Sequence, residues 1–407
     1  MAAQSLELTD DLRSRMHELY RELHAAPELS MQEHRTAELI EERLTALGIE
    51  NFRSGGSGVV GVLKNGEGPV VAFRADTDAL PLAEDTGVEY ASTAMGQLDD
   101  GTEVPVMHAC GHDTHMSAAL AAAEIFAGAT DAWSGTIVWI FQPGEETAAG
   151  AKAMLEDGLW DKAPKPEVVY GQHVMPALAG TVSYSVGDAM ALADSWKITI
   201  HGQGAHASQP QDSIDPIVLG AHMITRIQTV VSREMDPRRA AVVTIATFHG
   251  GLKENIIPAT AEFTLNVRTF DPAIREKVLA SLRRIISGEA AASGAPEPTI
   301  EVLSQFPRNY NDPEATAVVI EEFTRELGED SVVEVEPMMG SEDFGALAEA
   351  IDVPSVFWFF GGHPAEVLEG DGPVPVNHSP FFAPVMEPTL STGVRAAVTA
   401  LASRVGK

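Results

Sequence analysis

The chain has 407 residues, with 59 acids against 27 bases and a formal net charge of −32. So acidic a surface excludes nucleic acid and anionic membrane as natural partners, because no basic surplus exists to neutralise phosphate. A single cysteine excludes an intrachain disulfide framework. The length suggests two domains, and no apolar run reaches the ~20 residues of a membrane span.

The N-terminal stretch MAAQSLELTDDLRSRMHELYRELHAAPELS is acidic and amphipathic, unlike a secretory signal, and the expected location is cytoplasmic. Thr9 is a helix N-cap with Asp10 and Asp11 behind it. Leu12, Met16, Leu19 and Leu23 then recur at helical spacing, and Pro27 stops the run. A second helix passes through Ile40, Leu44 and Leu47 and ends at Gly48.

A β/α alternation follows. GPVVAFRAD, GTIVWIFQP, PEVVYGQHV and VPSVFWFFGG are nearly continuous in hydrophobicity, as strands buried on both faces should be. A helical pattern from Met116 to Phe126 lies between the first two. The fold class is α/β, a mostly parallel sheet with helices on both faces. Between 190 and 306 the order becomes β-α-β-β-α-β, which is ferredoxin-like and closes as its own small layer pair. The α/β pattern resumes with helix EATAVVIEEFTRELG. The expected organisation is therefore a catalytic domain in two parts, 1–189 and 307–407, with 190–306 inserted.

Polar chemistry clusters where the α/β strands end. Asp76 and Asp78 follow VVAFRA, Glu145 and Glu146 follow TIVWIFQPG, and His173 follows VVYGQ. Ligands of open α/β sheets bind outside the carboxyl ends of strands. The densest signal is His108-Ala-Cys110-Gly-His112-Asp113-Thr-His115, three histidines, the only cysteine and an aspartate in eight residues. Thiolate and imidazole are preferred ligands of zinc and its neighbours, and no second cysteine pair exists to make a structural zinc finger. In Glu145-Glu146, one carboxylate can bind metal while the other faces a water, which suits amide hydrolysis. Asn377-His378-Ser379-Pro380 offers a further isolated histidine. His17, His24, His222 and His249 read as structural. No GxGxxG or P-loop follows the first strand, which argues against a nucleotide-binding protein.

The stretches LHAAPELSMQE, FRADTDALPL, MHACGHDTHM, FQPGEE, GQHVMP, GAHASQP, NIIPATAEFTLNVRTF, GSEDF and NHSPFF run in order from residue 23 to residue 382. In these the chain resembles the M20 metallohydrolases, in the aminoacylase and amidohydrolase branch that includes hippurate hydrolases and hydrolases of auxin–amino acid conjugates. The resemblance implies two divalent metal ions, zinc or manganese, held by Cys110, His112, Glu146, His173 and His378. Cys110 stands where many relatives have a bridging aspartate. It implies Glu145 as general base and then acid, and Asp78 orienting a ligand histidine. His206, in the inserted domain, would help hold the oxyanion, reaching the partner's site in a homodimer built through that domain. Asn255 and Arg268 would meet the substrate carboxylate or carbonyl. The implied substrate is a small N-acyl amino acid; a dipeptidase or exopeptidase on the same scaffold is the alternative. The segments Gln305–Asn311 and Met338–Ser341 depart from the family pattern and bear on substrate identity.

Overall fold

The computed structural model describes residues 6–407; the part of the N-terminal reading that falls on Met1–Ser5 lies outside them. Two compact units emerge. One comprises Met1–Ala189, Asn309–Pro337 and Asp343–Lys407; the other comprises Met190–Arg308 and Met338–Glu342.

The larger unit opens with α1 (Asp10–His24) and α2 (His34–Ala46). The Thr9 hydroxyl caps α1 by accepting the Leu12 N–H, and Leu12, Met16, Leu19 and Leu23 form its buried stripe. The first α2 donors, the N–H groups of Arg35 and Thr36, go to the Glu28 carboxylate at 3.1 and 2.8 Å. Strands β1 (Glu50–Ser54), β2 (Gly58–Asn65) and β3 (Val70–Asp76) come next, then a small hairpin of β4 (Met95–Gln97) and β5 (Glu103–Pro105). Helix α3 (His112–Gly128), β6 (Gly135–Gln142), α4 (Gly150–Glu156), α5 (Leu159–Lys162), β7 (Val168–Leu178), β8 (Val182–Tyr184) and β9 (Gly187–Met190) follow.

The second unit contains β10 (Leu192–His201), β11 (Ala205–His206), α6 (Pro216–Thr229), β12 (Ala241–Gly250), β13 (Ile256–Ile257), β14 (Thr260–Thr269), α7 (Pro272–Ala292) and β15 (Thr299–Phe306). Its four-stranded antiparallel sheet has the order β12-β14-β10-β15. Trp196, Ile198, Ile200, Phe263, Leu265 and Val267 alternate inward from β10 and β14 onto Leu219, Met223, Val278 and Leu282 of α6 and α7. Both helices start on an aspartate followed by proline: Asp215 caps α6 and Asp271 caps α7.

The larger unit is completed by β16 (Asn309–Asn311), α8 (Pro313–Leu327), β17 (Val332–Glu334), α9 (Gly345–Glu349), β18 (Ser355–His363), α10 (Ala365–Leu368) and α11 (Met386–Val405). Its eight-stranded sheet runs β1-β2-β6-β3-β7-β18-β8-β17. The centre, β6-β3-β7-β18, is parallel throughout, and β1 and β2 join it antiparallel. These central strands are buried on both faces, with Phe73, Trp139, Tyr170 and Trp358 among the most enclosed side chains. One expectation is corrected here. His173 does not follow the end of its strand but lies inside it, because β7 continues to Leu178, paired with β18 through Phe359↔His173 and Phe360↔Val174.

Candidate metal centre

The parallel register sets β3 and β6 level, with Asp76 opposite Gln142. The chain leaving β3 therefore carries Asp78, and the chain leaving β6 carries Glu145 and Glu146, at the same end of the sheet. Gly111 (φ +83) turns the backbone into α3 between Cys110 and His112; a Cβ there would stand 2.4 Å from the Val174 side chain. His378, also at positive φ, is placed by its N–H donated to the Ala109 carbonyl at 2.8 Å. Asn377 beside it donates to the carbonyls of Cys110 and Val174 at 3.1 and 3.2 Å.

These segments bring the sequence-nominated side chains of the larger unit together. Cys110, Glu146 and His378 each offer a ligand atom within 4.8 Å of one another, as do His112, Glu145 and Glu146. Cys110 Sγ lies 3.4 Å from His173 Nε2, and Glu146 Oε1 lies 3.2 Å from His378 Nε2 and 4.0 Å from His112 Nε2. His378 is exposed, while Cys110, His112, Glu145 and His173 are buried.

The imidazoles are oriented from behind. His112 donates from Nδ1 to the Asp78 backbone carbonyl at 2.9 Å, with Asp78 Oδ1 at 3.1 Å. His173 donates from Nδ1 to the Val174 carbonyl at 2.7 Å. In both rings Nε2 is left facing the cluster, the arrangement that metal-ligating histidines use. Buried His112 Nε2 has no hydrogen-bond partner among the described residues, and Glu146 Oε1 makes no hydrogen bond despite its nearness to His378. Buried polar atoms without partners are uncommon, and two of them within one cluster of ligand-type side chains suit a bound cation.

Electrostatics agree. Burial alone would push the His112 imidazole down, but Asp76, Asp78 and Glu146 outweigh it and raise it to about 10, so that a cation bound at Nε2 would take the place of a proton. Burial, Glu146, Glu145 and Asp76 push the Cys110 thiol well above its usual range, so it is no activated nucleophile. Burial, with the neighbouring imidazoles of His115 and His112, keeps His173 far below an ordinary imidazole, hence neutral and able to ligate. This excess of negative charge in a buried space is what a cation would neutralise, and the soft and imidazole donors suit a zinc-like divalent ion.

Two further candidates do not belong to the ligand surface. Asp76, His112, His115 and His173 also lie within reach of one another, yet both His115 nitrogens are taken. Nδ1 meets Asp76 Oδ1 at 2.5 Å, and Nε2 accepts the Val174 N–H at 2.8 Å. Asp76 also pairs with the buried Arg74 guanidinium at 2.7 Å, and Arg74 reaches Asp343 at 3.1 Å and Gln142 at 3.0 Å. Sequence reasoning missed Arg74 and Gln142 and gave Asp343 no role. The only signal of Arg74 and Gln142 was a polar residue inside an otherwise apolar strand, and Asp343 lies in the loop before α9, within GSEDF.

In the second unit, β11 pairs β13 through His206↔Ile256, and the Ala207 N–H donates to the Asn255 carbonyl at 3.0 Å. His206 and Asn255 thus share one exposed ladder. The Ser208 N–H donates to His206 Nδ1 at 3.1 Å, which leaves the proton of a neutral ring on Nε2. Arg268 is half-buried, and its guanidinium bonds Asn266 Oδ1 at 2.9 Å, the Met339 carbonyl at 2.5 Å and Ser341 Oγ at 3.3 Å.

A parallel-centred α/β sheet with a largely buried Cys/His/Glu cluster and an adjacent carboxylate gathered at one end is the arrangement of a metal-dependent hydrolase. Residues 72–402 match peptidase family M20/M25/M40, and the chain belongs to that family. It is 37% identical over 343 residues to a hippurate hydrolase of Campylobacter jejuni, covering 83% of this chain and 86% of that one. It is 36% identical over 385 residues to thermostable carboxypeptidase 2 of Saccharolobus solfataricus, covering 93% and 92%. The crystal structure of a dinuclear metal binding peptidase of the M20 family from Bacillus subtilis superposes with a TM-score of 0.77 at 31% identity, covering 96% and 98%. The protein is a metallo-amidohydrolase that binds divalent metal. Among the described residues, no helix is long and apolar enough to cross a membrane.

Proposed function

We propose that this enzyme hydrolyses the amide bond of small N-acyl amino acids to a carboxylic acid and an amino acid. The observation that carries the reading is the convergence of Cys110, His112, Glu146, His173 and His378 with a second carboxylate, Glu145, beside them.

In this reading the five side chains would hold two divalent ions, zinc or manganese. Such ions supply Lewis acidity, lowering the pKa of a water and polarising the scissile carbonyl. Glu145 would take a proton from the attacking water as the water oxygen bonds the carbonyl carbon. It then delivers the proton to the amide nitrogen as the C–N bond breaks. His206, with its proton on Nε2, donates to the oxyanion. Asp78 keeps the His112 proton on Nδ1. Asn255 and Arg268 are the candidates for the substrate carboxylate or carbonyl. Arg268 would act through Nη2, since Nε and Nη1 are engaged. His206 acting in a second copy's site, in a dimer built through the second unit, is part of the proposal.

A hippurate hydrolase among the relatives favours N-acyl amino acids; a carboxypeptidase of similar identity favours peptides. A hydrolysis screen separates them: N-acetyl, N-benzoyl, N-aminobenzoyl, long-chain acyl and indole-acetyl amino acids against N-blocked dipeptides, on enzyme loaded with zinc or manganese. The expected result is a higher kcat/KM on N-acyl amino acids. Faster release of the C-terminal residue from dipeptides would transfer the assignment to a carboxypeptidase.

A further inference from the structure

Residues 25–33 connect α1 to α2, and both ends of the stretch Glu28–Glu33 are pinned. Leu29 bridges Ala79, the Ala79 N–H donates to the Glu28 carbonyl at 2.9 Å, and the Leu29 side chain is buried with Ala79 and Val106. At the far end the Glu28 carboxylate caps α2. Between these anchors, Met31 takes a left-handed backbone conformation (φ +64) and the chain turns onto the loop that carries the two adjacent glutamates.

Two side chains then grip that loop. Glu33 is wholly buried; its Oε1 accepts the Gly144 N–H at 2.8 Å and the Met31 N–H at 2.8 Å, and its Oε2 accepts the Ser57 hydroxyl at 2.5 Å. Ser30 donates its hydroxyl to Asp78 Oδ2 at 2.6 Å, and the same oxygen accepts the Glu146 N–H at 3.0 Å. Gly144 turns its carbonyl back into the loop, accepting from Ala149 and Gly150 at 3.1 Å each, while its N–H leaves the loop for Glu33. Contact is close: a Cβ on Gly144 would stand 2.5 Å from Met31 Sδ. Burial and the Asp78 charge raise the Glu33 carboxyl to about 7, while its bonds to Ser57 and Gly144 oppose the shift.

We propose that Ser30 and Glu33 are positioning residues that fix the aim of Glu145 and Glu146 from either side, Glu33 through the backbone just before Glu145 and Ser30 through Asp78 onto the backbone of Glu146. The proposal rests on the reading of Glu145 as proton carrier. A glutamate on a loop holds its carboxylate in place only as well as its backbone is held. A displacement near 1 Å costs about 10²-fold in rate.

Glu33→Gln and Glu33→Met separate positioning from bulk. The glutamine oxygen can accept both N–H groups and its amide can donate to Ser57, whereas methionine fills the space and accepts nothing. Each variant, metal-loaded, is assayed on N-benzoylglycine and N-acetyl-L-methionine, with metal content and amide hydrogen exchange of the 142–150 peptide measured alongside. Glu33→Met should lose about 10²-fold in kcat with KM and metal content near wild type, and should exchange faster at the Gly144 amide. Glu33→Gln should stay within a few-fold of wild type in both readouts. Wild-type kcat and exchange in Glu33→Met, or an equal loss in both variants, would overturn the proposal. If Glu33→Met does not fold, Ser30→Ala decides. It should lower kcat and speed exchange at Glu146, and no change in either would overturn the proposal. Glu145→Gln run in parallel keeps the two ideas apart. Full activity in Glu145→Gln removes the proton carrier, whereas an inactive Glu145→Gln beside a fully active Glu33→Met removes only the brace.

Discussion

Asp78 Oδ1 stands 3.1 Å from His112 Nδ1, and the Asp78 backbone carbonyl stands 2.9 Å from the same atom. The pair sets the His112 tautomer and leaves Nε2 toward Glu146. Burial alone would raise the Asp78 carboxyl, but the bonds to His112, Ser30 and the Glu146 N–H bring it below its ordinary value. Asp78→Ala removes the side-chain partner. Metal affinity, measured by competition with a chelator of known strength, should fall about 10–100-fold. Unchanged affinity would show that the backbone carbonyl alone orients the ring.

Cys110 is the only thiol in the chain, so its labelling reports one site. Among carboxylates and burial its thiol is held protonated, and a bound cation would take the proton's place. Labelling by a thiol reagent should be slow in the metal-loaded enzyme and rise when a chelator strips it. Equal, fast labelling in both states would remove Cys110 from the ligand set. Cys110→Ser should lower metal occupancy, because a hydroxyl is a far poorer anionic ligand.

How much of this was legible in the sequence depends on contact range. The four central strands read directly, because burial on both faces leaves an unbroken apolar run. Strand β2 was missed although six of its eight residues are buried, since its glycine-rich approach, SGGSGVVGV, reads as a turn. The three-residue strands β8 and β17 carry too few residues for a period. The ligand-type residues showed themselves by chemical type and local density. Their supports did not: Arg74 meets Asp343 across 269 positions and Glu33 meets Gly144 across 111. No local pattern marks such pairs, and a buried arginine within VVAFRAD looks like a strand end.

His24 shows the same limit. Its place on a helix reads as structural, and the structure sets it between Asp113 (Nδ1–Oδ2, 2.6 Å) and Glu84 (Nε2–Oε1, 3.0 Å), almost fully buried. Burial would lower its pKa, but Asp113 and the bonds to both acids raise it to about 10. A raised folded-state value means that the stabilisation is complete below the unfolded value of 6.5 and is lost as pH rises through about 10. His24→Gln leaves two buried acids without their cation and should cost about 3–5 kcal/mol at pH 6.5. In urea unfolding, the gap between wild type and variant should narrow from pH 6.5 to pH 10. A gap independent of pH would mean that His24 acts by packing alone.

His206 lies in the second unit, exposed, with its proton placed on Nε2 by the Ser208 N–H. His206→Ala should lower kcat about 10²–10³-fold and leave metal content intact, because a donor to the oxyanion acts mainly in the transition state. Mixing His206→Ala with Glu145→Gln and allowing subunits to exchange tests sharing between copies. A shared site regains part of the activity in mixed dimers. No recovery despite demonstrated exchange would confine His206 to its own chain.

The most direct measurement is kcat of metal-loaded Glu145→Gln on the N-acyl amino acid that the wild type turns over fastest, with metal content determined on the same sample. Glutamine keeps the shape and hydrogen bonding of Glu145 but cannot take a proton. The expected result is a fall of about 10²–10⁴-fold with metal content unchanged, since Glu146 and not Glu145 is the proposed ligand. Retention of more than about a tenth of wild-type kcat, with metal bound, would contradict proton transfer by Glu145 and the amide-hydrolysis mechanism built on it.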